Sequence, residues 1–101
     1  MNTNLVLRAI ENERARQDKK WGVQNHNPDY WMVILLEEVG EAAKAILERD
    51  WPGYCNELIE AAAVAVAAVE SLHRNGAPRK GGEEENWECQ CDDCKRKRGE
   101  R

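Results

Sequence analysis

A basic excess is the first thing this chain lacks. Its 101 residues hold 15 Lys and Arg against 19 Asp and Glu, a net charge of -4 with a pI near 5.2. That argues against a general polyanion binder, whose affinity rests on surplus cations, so no nucleic-acid partner is expected. A long apolar run is missing too. The longest stretch free of charge, Ala61 to Val69, is nine residues, against the roughly 18 that a spanning helix needs. No membrane partner is expected. Arg8 and Glu11 interrupt the amino terminus where a secretory leader requires an unbroken apolar stretch. These absences predict a soluble, cytoplasmic protein. Cysteine is scarce in the body: Cys55 stands by itself, and the other three crowd into the last thirteen residues. A disulfide scaffold stapling the fold is therefore excluded. No β-type alternation occurs anywhere, and a single core of this size is only marginally stable without help.

The charge that is present is unevenly placed. Residues 76–101 carry seven basic and seven acidic side chains, so this tail is neutral. The body, residues 1–75, carries the whole -4, with 8 basic and 12 acidic side chains. Most of that acidic excess lies between Asp29 and Glu70.

Three helices account for the body. The first is expected from about Thr3 to Lys19, with Leu5, Ala9 and Asn12 on one stripe. Gly22, two asparagines and Pro28 break the pattern. The second helix starts with Asn27 as N-cap, Pro28 at its first position and Asp29 in its first turn, and runs to about Arg49. Asp50-Trp51-Pro52-Gly53 is a short connection, with Asp50 placed to cap the third helix. That helix runs to about Arg74 and ends at Asn75-Gly76. The fold class is all-α: an antiparallel helical hairpin plus an N-terminal helix. The tail has no helical periodicity, and Ala77 to Asn86 reads as a disordered extension.

At 100° per residue the apolar side chains from Leu58 to Leu72 cover almost the full circle of the third helix, which marks a buried helix. Three helices in 75 residues cannot surround it. Six alanines between positions 61 and 68 allow close helix approach. A dimer or tetramer that completes a four-helix-type bundle is the expected arrangement.

The carboxylates fall on the hairpin. On the second helix, Leu35, Leu36, Val39, Ala43, Ile46 and Leu47 define an apolar arc. Glu38 sits at its edge with Glu41 at i+3 on the same face, while Glu37 and Glu48 point further toward solvent. On the third helix Glu57 and Glu60 repeat the spacing. Four carboxylates converging beside an apolar core repel one another and resist desolvation, so their pKa values rise or a cation neutralises them. An all-oxygen donor set on rigid helices selects Mg²⁺ or Mn²⁺ over zinc. E-x-x-E pairs also decorate solvated faces, and Glu57 falls where the helix dipole favours an anion. Two facing pairs, one leading into a buried helix, tip the balance toward a metal site.

EEVGEAAKAILERDW followed by NELIEAAAVAVAAVESL resembles the all-α nucleoside triphosphate pyrophosphohydrolases, the MazG-like superfamily. Its signature of E-x-x-E, a gap, then E-x-x-D falls on Glu38, Glu41, Glu57 and Glu60, with Glu60 in place of the aspartate. Upstream, ERARQDKKWGVQNHNP is similar to a segment of phage and prophage members, and His26 and Pro28 match a His-x-Pro of dCTP-type relatives. The resemblance covers about residues 8–74. It implies Mg²⁺-dependent cleavage of a (d)NTP into (d)NMP and pyrophosphate, with the four glutamates as metal ligands and Glu38 orienting or deprotonating the attacking water. For the phosphate-facing basic residues that relatives place after the last helix, Arg79 and Lys80 are the available substitutes.

Arg14, Gln17, Lys20, Trp21 and His26 lie where a nucleotide site draws its remaining groups: cations for phosphates and an aromatic face for a base. For Trp21 and His26, packing into the hairpin explains them equally well, and Arg14 by itself reads as an ordinary helix cation. Trp31 and Trp51 read as packing residues at helix starts. Cys55 reads as a small buried hydrophobe. Cys89, Cys91 and Cys94 form C-x-C-x-x-C, three ligands where zinc takes four. Cys55, His73 or a neighbouring subunit are the sources of a fourth, a redox-labile or unstructured tail explains the cysteines equally well, and no zinc is assigned. Two further functions share the fold: a nucleotide-binding or protein-interaction module without turnover, and a purely structural helical oligomer.

Overall fold

A computed structural model describes residues 2–78, 84–85 and 89–99. Three helices form the body: α1 (Thr3–Trp21), α2 (Pro28–Leu47) and α3 (Trp51–Asn75). Beyond them lie two-residue strands, β1 (Ala77–Pro78) and β2 (Glu84–Glu85), and a short helix, α4 (Asp92–Lys97). The all-α expectation holds for the body. The central element is α3, which packs along α2 on one side and against α1 on the other. Only Glu48 to Asp50 separate α2 from α3, and two helices joined so tightly and packed along their lengths run antiparallel.

The helix ends follow from local chemistry. Asn2 caps α1, its side-chain oxygen accepting the Leu5 amide at 3.0 Å. Asp50 does the same for α3, accepting the Gly53 amide at 3.0 Å. A Cβ on Gly53 would overlap the Asp50 carboxylate, so glycine there keeps the cap in place. The end of α2 is a Schellman turn: the Asp50 amide reaches the Ala45 carbonyl at 2.9 Å and the Arg49 amide reaches Ile46 at 3.0 Å. The left-handed residue of that turn is Arg49, at φ 57, where glycine is usual.

The faces differ from the sequence-derived ones. On α1, Leu5 and Asn12 are exposed, and the half-buried stripe is Val6, Ala9, Ile10, Glu13, Arg14, Gln17 and Asp18. It turns from apolar to polar halfway along, because its C-terminal half borders a cleft instead of a core. On α2 the inward face is Trp31, Ile34, Leu35, Glu38, Ala42 and Ala45. The arc expected to face inward, Leu36, Val39, Ala43, Ile46 and Leu47, is exposed, with Leu35 its one half-buried member. Both faces of α2 are apolar, and α3 takes the one with small alanines and the broad Trp31 ring. On α3, Leu58, Val66 and Val69 are also exposed, so this chain by itself does not bury α3 all round.

The core is thin. Its buried apolar members are Trp31, Val64 and five alanines, Ala42, Ala45, Ala61, Ala63 and Ala67. Buried Ser71 accepts from the Asn75 amide side chain at 3.2 Å. Polar contacts tie α1 and its loop to α3. Arg14 donates to Glu70 at 2.7 Å, and Arg74 donates to the Asn25 side chain at 3.0 Å and to the Gln24 carbonyl at 3.1 Å. Trp31 is buried as expected, whereas Trp51 is 53% exposed and packs edge-on against Tyr54. Cys55 is exposed rather than buried, since it lies on a face of α3 that neither neighbour covers.

Ala77–Pro78 pair antiparallel with Glu84–Glu85, inside the segment expected to be disordered. The rest of that segment, Arg79 and Lys80 included, lies outside the described residues. In α4, Asp92 and Asp93 stand in the first turn and Lys95, Arg96 and Lys97 in the last, complementing the helix dipole at both ends. No helix among the described residues is long and apolar enough to cross a membrane.

Candidate functional site

Glu38 sits on the inner face of α2 and meets Glu57 and Glu60 from the first turns of α3. One oxygen from each of these three carboxylates lies within 4.8 Å of the others, and all three residues are half-buried. Such proximity is costly for three negative charges. Burial first, then hydrogen bonds with Glu60 and Glu57, push the Glu38 carboxyl up to about 7. Burial also raises Glu57, reinforced by the Glu60 and Glu41 charges and opposed by its hydrogen bond with Glu38. Glu41, one turn further along α2, is exposed and stands outside the group of three. It acts on Glu57 as a nearby charge. Three converging carboxylate oxygens beside an apolar wall suit a hard divalent cation.

A cleft of about 260 Å³ opens beside these carboxylates between α1, the 22–27 loop, α2 and α3. Glu38 and Glu60 form its acidic wall, while Trp31, Ile34, Val64 and Ala67 form its apolar floor. It is a little smaller than the roughly 300–1,000 Å³ usual for ligand pockets. At its floor the Trp31 indole N–H is fully buried and meets no acceptor among the described residues. A buried donor left unpaired costs about 1–3 kcal/mol, which a ligand acceptor at this position would relieve.

Of the residues expected on the substrate side, Arg14, Gln17 and Trp21 line this cleft. Arg14 is held there by Glu70 and by Asp18, the latter at 3.1 Å, so its charge is already balanced. Trp21 is 53% exposed, with the Arg16 guanidinium 6.0 Å and the Lys20 ammonium 4.7 Å from its ring centroid. The other two belong elsewhere. Lys20 stands outside the cleft lining, its ammonium 4.7 Å from the Trp21 ring centroid. His26 packs edge-on against both Tyr30, at 4.6 Å, and Trp31, at 5.0 Å. Ring packing accounts for it.

The cleft also contains residues that the sequence reading missed. Arg16 lines it, pairs with Glu13 at 2.6 Å and lies close enough to Glu60 to feel its charge. In return Arg16 holds the Glu13 carboxyl below the usual carboxylate range. Arg74 closes the far end, next to the Gln24 and Asn25 that it grips. A signal for both was present. Glu13, Arg16, Gln17 and Lys20 follow helical spacing, and Glu60, Val64, Ala67, Ser71 and Arg74 lie on one stripe of α3.

No family profile, curated protein or solved structure matches this chain. The geometry and the residues themselves carry the functional argument.

Proposed function

We propose that this chain is a Mg²⁺-dependent nucleotide pyrophosphohydrolase of the MazG-like type, cleaving a (d)NTP to (d)NMP and pyrophosphate. The supporting observation is the convergence of Glu38, Glu57 and Glu60, from two adjoining helices, on the edge of a cleft. These three would hold Mg²⁺ or Mn²⁺, with Glu41, exposed one turn further along α2, as the fourth carboxylate of the proposed set. A bound cation neutralises phosphate oxygens and makes a coordinated water more acidic.

The chain's own residues supply the rest. Glu38, on the inner face of α2 beside the apolar wall of the cleft, takes the proton as water attacks the α-phosphorus and the α–β bridge breaks. Arg16 and Arg74 line the same cleft and meet the negative charge of the departing pyrophosphate. Trp21 lines the cleft and supplies an aromatic surface for the base once the cations over its ring move aside. The test is a panel of (d)NTPs assayed for pyrophosphate with Mg²⁺ or Mn²⁺. Release from at least one, abolished by chelation, is expected. No turnover of any would end this reading. Saturable nucleotide binding without turnover would select the binding module instead, which the exposed position of Glu41 favours.

The working form is a homo-oligomer. Met32, Val33, Leu36, Val39 and Leu47 leave a continuous apolar stripe on the outer face of α2, with exposures from 48% to 84%. Gly40 and Ala43 lie within it and allow a second copy of α2 to approach closely.

A further inference from the structure

The three tail cysteines are brought to the end of α3. The ligating atoms of His73, Cys89 and Cys94 all lie within 4.8 Å of one another. The Cys91 Sγ is 3.4 Å from the Cys89 Sγ, which brings a further thiol next to one member of that group. We propose that His73, Cys89, Cys91 and Cys94 form a structural Cys₃His zinc site that fastens the tail to the last turn of α3.

Geometry and chemistry both fit. Four ligands at the usual zinc–sulfur distance of about 2.3 Å place neighbouring sulfurs about 3.8 Å apart, slightly above the 3.4 Å between Cys89 and Cys91 and within the 4.8 Å that encloses the His73, Cys89 and Cys94 donors. Four protein donors leave no open position, which is the mark of a structural rather than a hydrolytic zinc. Backbone amides of Cys94 and Asp93 donate to the Cys91 sulfur. Amide hydrogen bonds to a sulfur of this kind orient and stabilise the thiolate form that binds metal. Zinc uptake converts three thiols to thiolates and releases their protons, with no redox change. The carboxylate group is all-oxygen and the tail group is sulfur and nitrogen, so the two sites select different ions.

A zinc here does something the short α4 cannot do by itself. His73 and Cys89 are sixteen positions apart, so the ion closes the loop that contains the β1–β2 pairing. It also anchors the residue next to Arg74, which lines the cleft. Neither proposal depends on the other, since the zinc site involves none of the carboxylates.

The full chain, purified under reducing conditions, is expected to carry one zinc per chain, found by elemental analysis. The metal-free protein should take up Co²⁺ with thiolate-to-cobalt charge-transfer absorption and the visible bands of a tetrahedral centre. Orienting partners alone alter metal affinity by about 10–100-fold, so His73→Ala should lower zinc affinity by more than about 100-fold, and His73→Cys should restore it. Cys91→Ser should weaken binding, and Cys55→Ser and Glu38→Gln should leave it unchanged. Circular dichroism checks that each variant keeps its helices. Absence of bound metal in the reduced chain would overturn the site, as would an unaltered cobalt spectrum in His73→Ala. A cysteine pair found oxidised in chain isolated without reductant, with no metal uptake after reduction, would identify a redox tail instead.

Discussion

Glu38 concentrates the chemistry of this chain in one carboxyl group. Its folded value of about 7 lies above the ordinary 4.5. Between those values the folded state holds a proton that the unfolded chain has released. Stability of the metal-free protein should therefore fall as pH rises across that window and stay lower above it. Thermal melts in chelator across that range test the sign. Mg²⁺ should raise the melting temperature most above pH 7, where the group is charged. Glu38→Gln should flatten the pH dependence, melt above wild type in chelator at alkaline pH and lose the Mg²⁺ response. In the pyrophosphate assay it should lose roughly 10²–10⁴-fold in kcat, the usual loss for a general base. Arg16 and Lys20 separate the structure from the sequence reading. Arg16→Ala removes a cation from the cleft wall and should lower kcat/KM by about 10–100-fold. Lys20→Ala, acting on a side chain seated over Trp21, should change it little.

At the scale of the helices, the turn between α2 and α3 sets how the carboxylates meet. Asp50 holds the start of α3, and its replacement by alanine should cost about 1 kcal/mol in urea unfolding. Arg49 occupies the left-handed position of the Schellman turn at φ 57. A left-handed conformation costs a side-chain-bearing residue about 1–2 kcal/mol, partly offset by the greater freedom that glycine loses on folding. Arg49→Gly should thus stabilise the chain by about 0.5–1 kcal/mol, read as a higher urea midpoint at unchanged slope. The starts of both hairpin helices were legible, because Pro28 and Asp50 announce themselves locally. Arg49 was not, because nothing in its side chain signals that the backbone turns left there.

Over the whole molecule, the thin alanine core and the exposed stripe of α2 belong together. Among the described residues seven apolar side chains are buried, five of them alanine, which is little burial for a chain of this size, and the proposed association would add more. Leu36→Glu, at the middle of the stripe, should shift the protein to a monomer in light scattering coupled to gel filtration. It should retain the Mg²⁺-dependent rise in melting temperature, because Glu38 faces the opposite side of α2. An unchanged oligomeric state would place the interface elsewhere.

The sequence alone determined the three helices of the body, the Asp50 cap, the short hairpin connection and the two pairs of glutamates. Each rests on residues within a few positions of one another. Tertiary packing decided what local spacing leaves undetermined. Helix α2 carries two apolar faces, and only its contact with α3 selects the one bearing Glu38, which leaves Glu41 outside the three-carboxylate group. Only the folded loop carries His26 into a stack of rings, and only the placement of α1 sets Arg16 near Glu60. Cys89 and Cys94 lie beside His73 for the same reason, since they are sixteen and twenty-one positions away in the sequence. Side-chain periodicity records which faces are apolar; it does not record which neighbour each face will find.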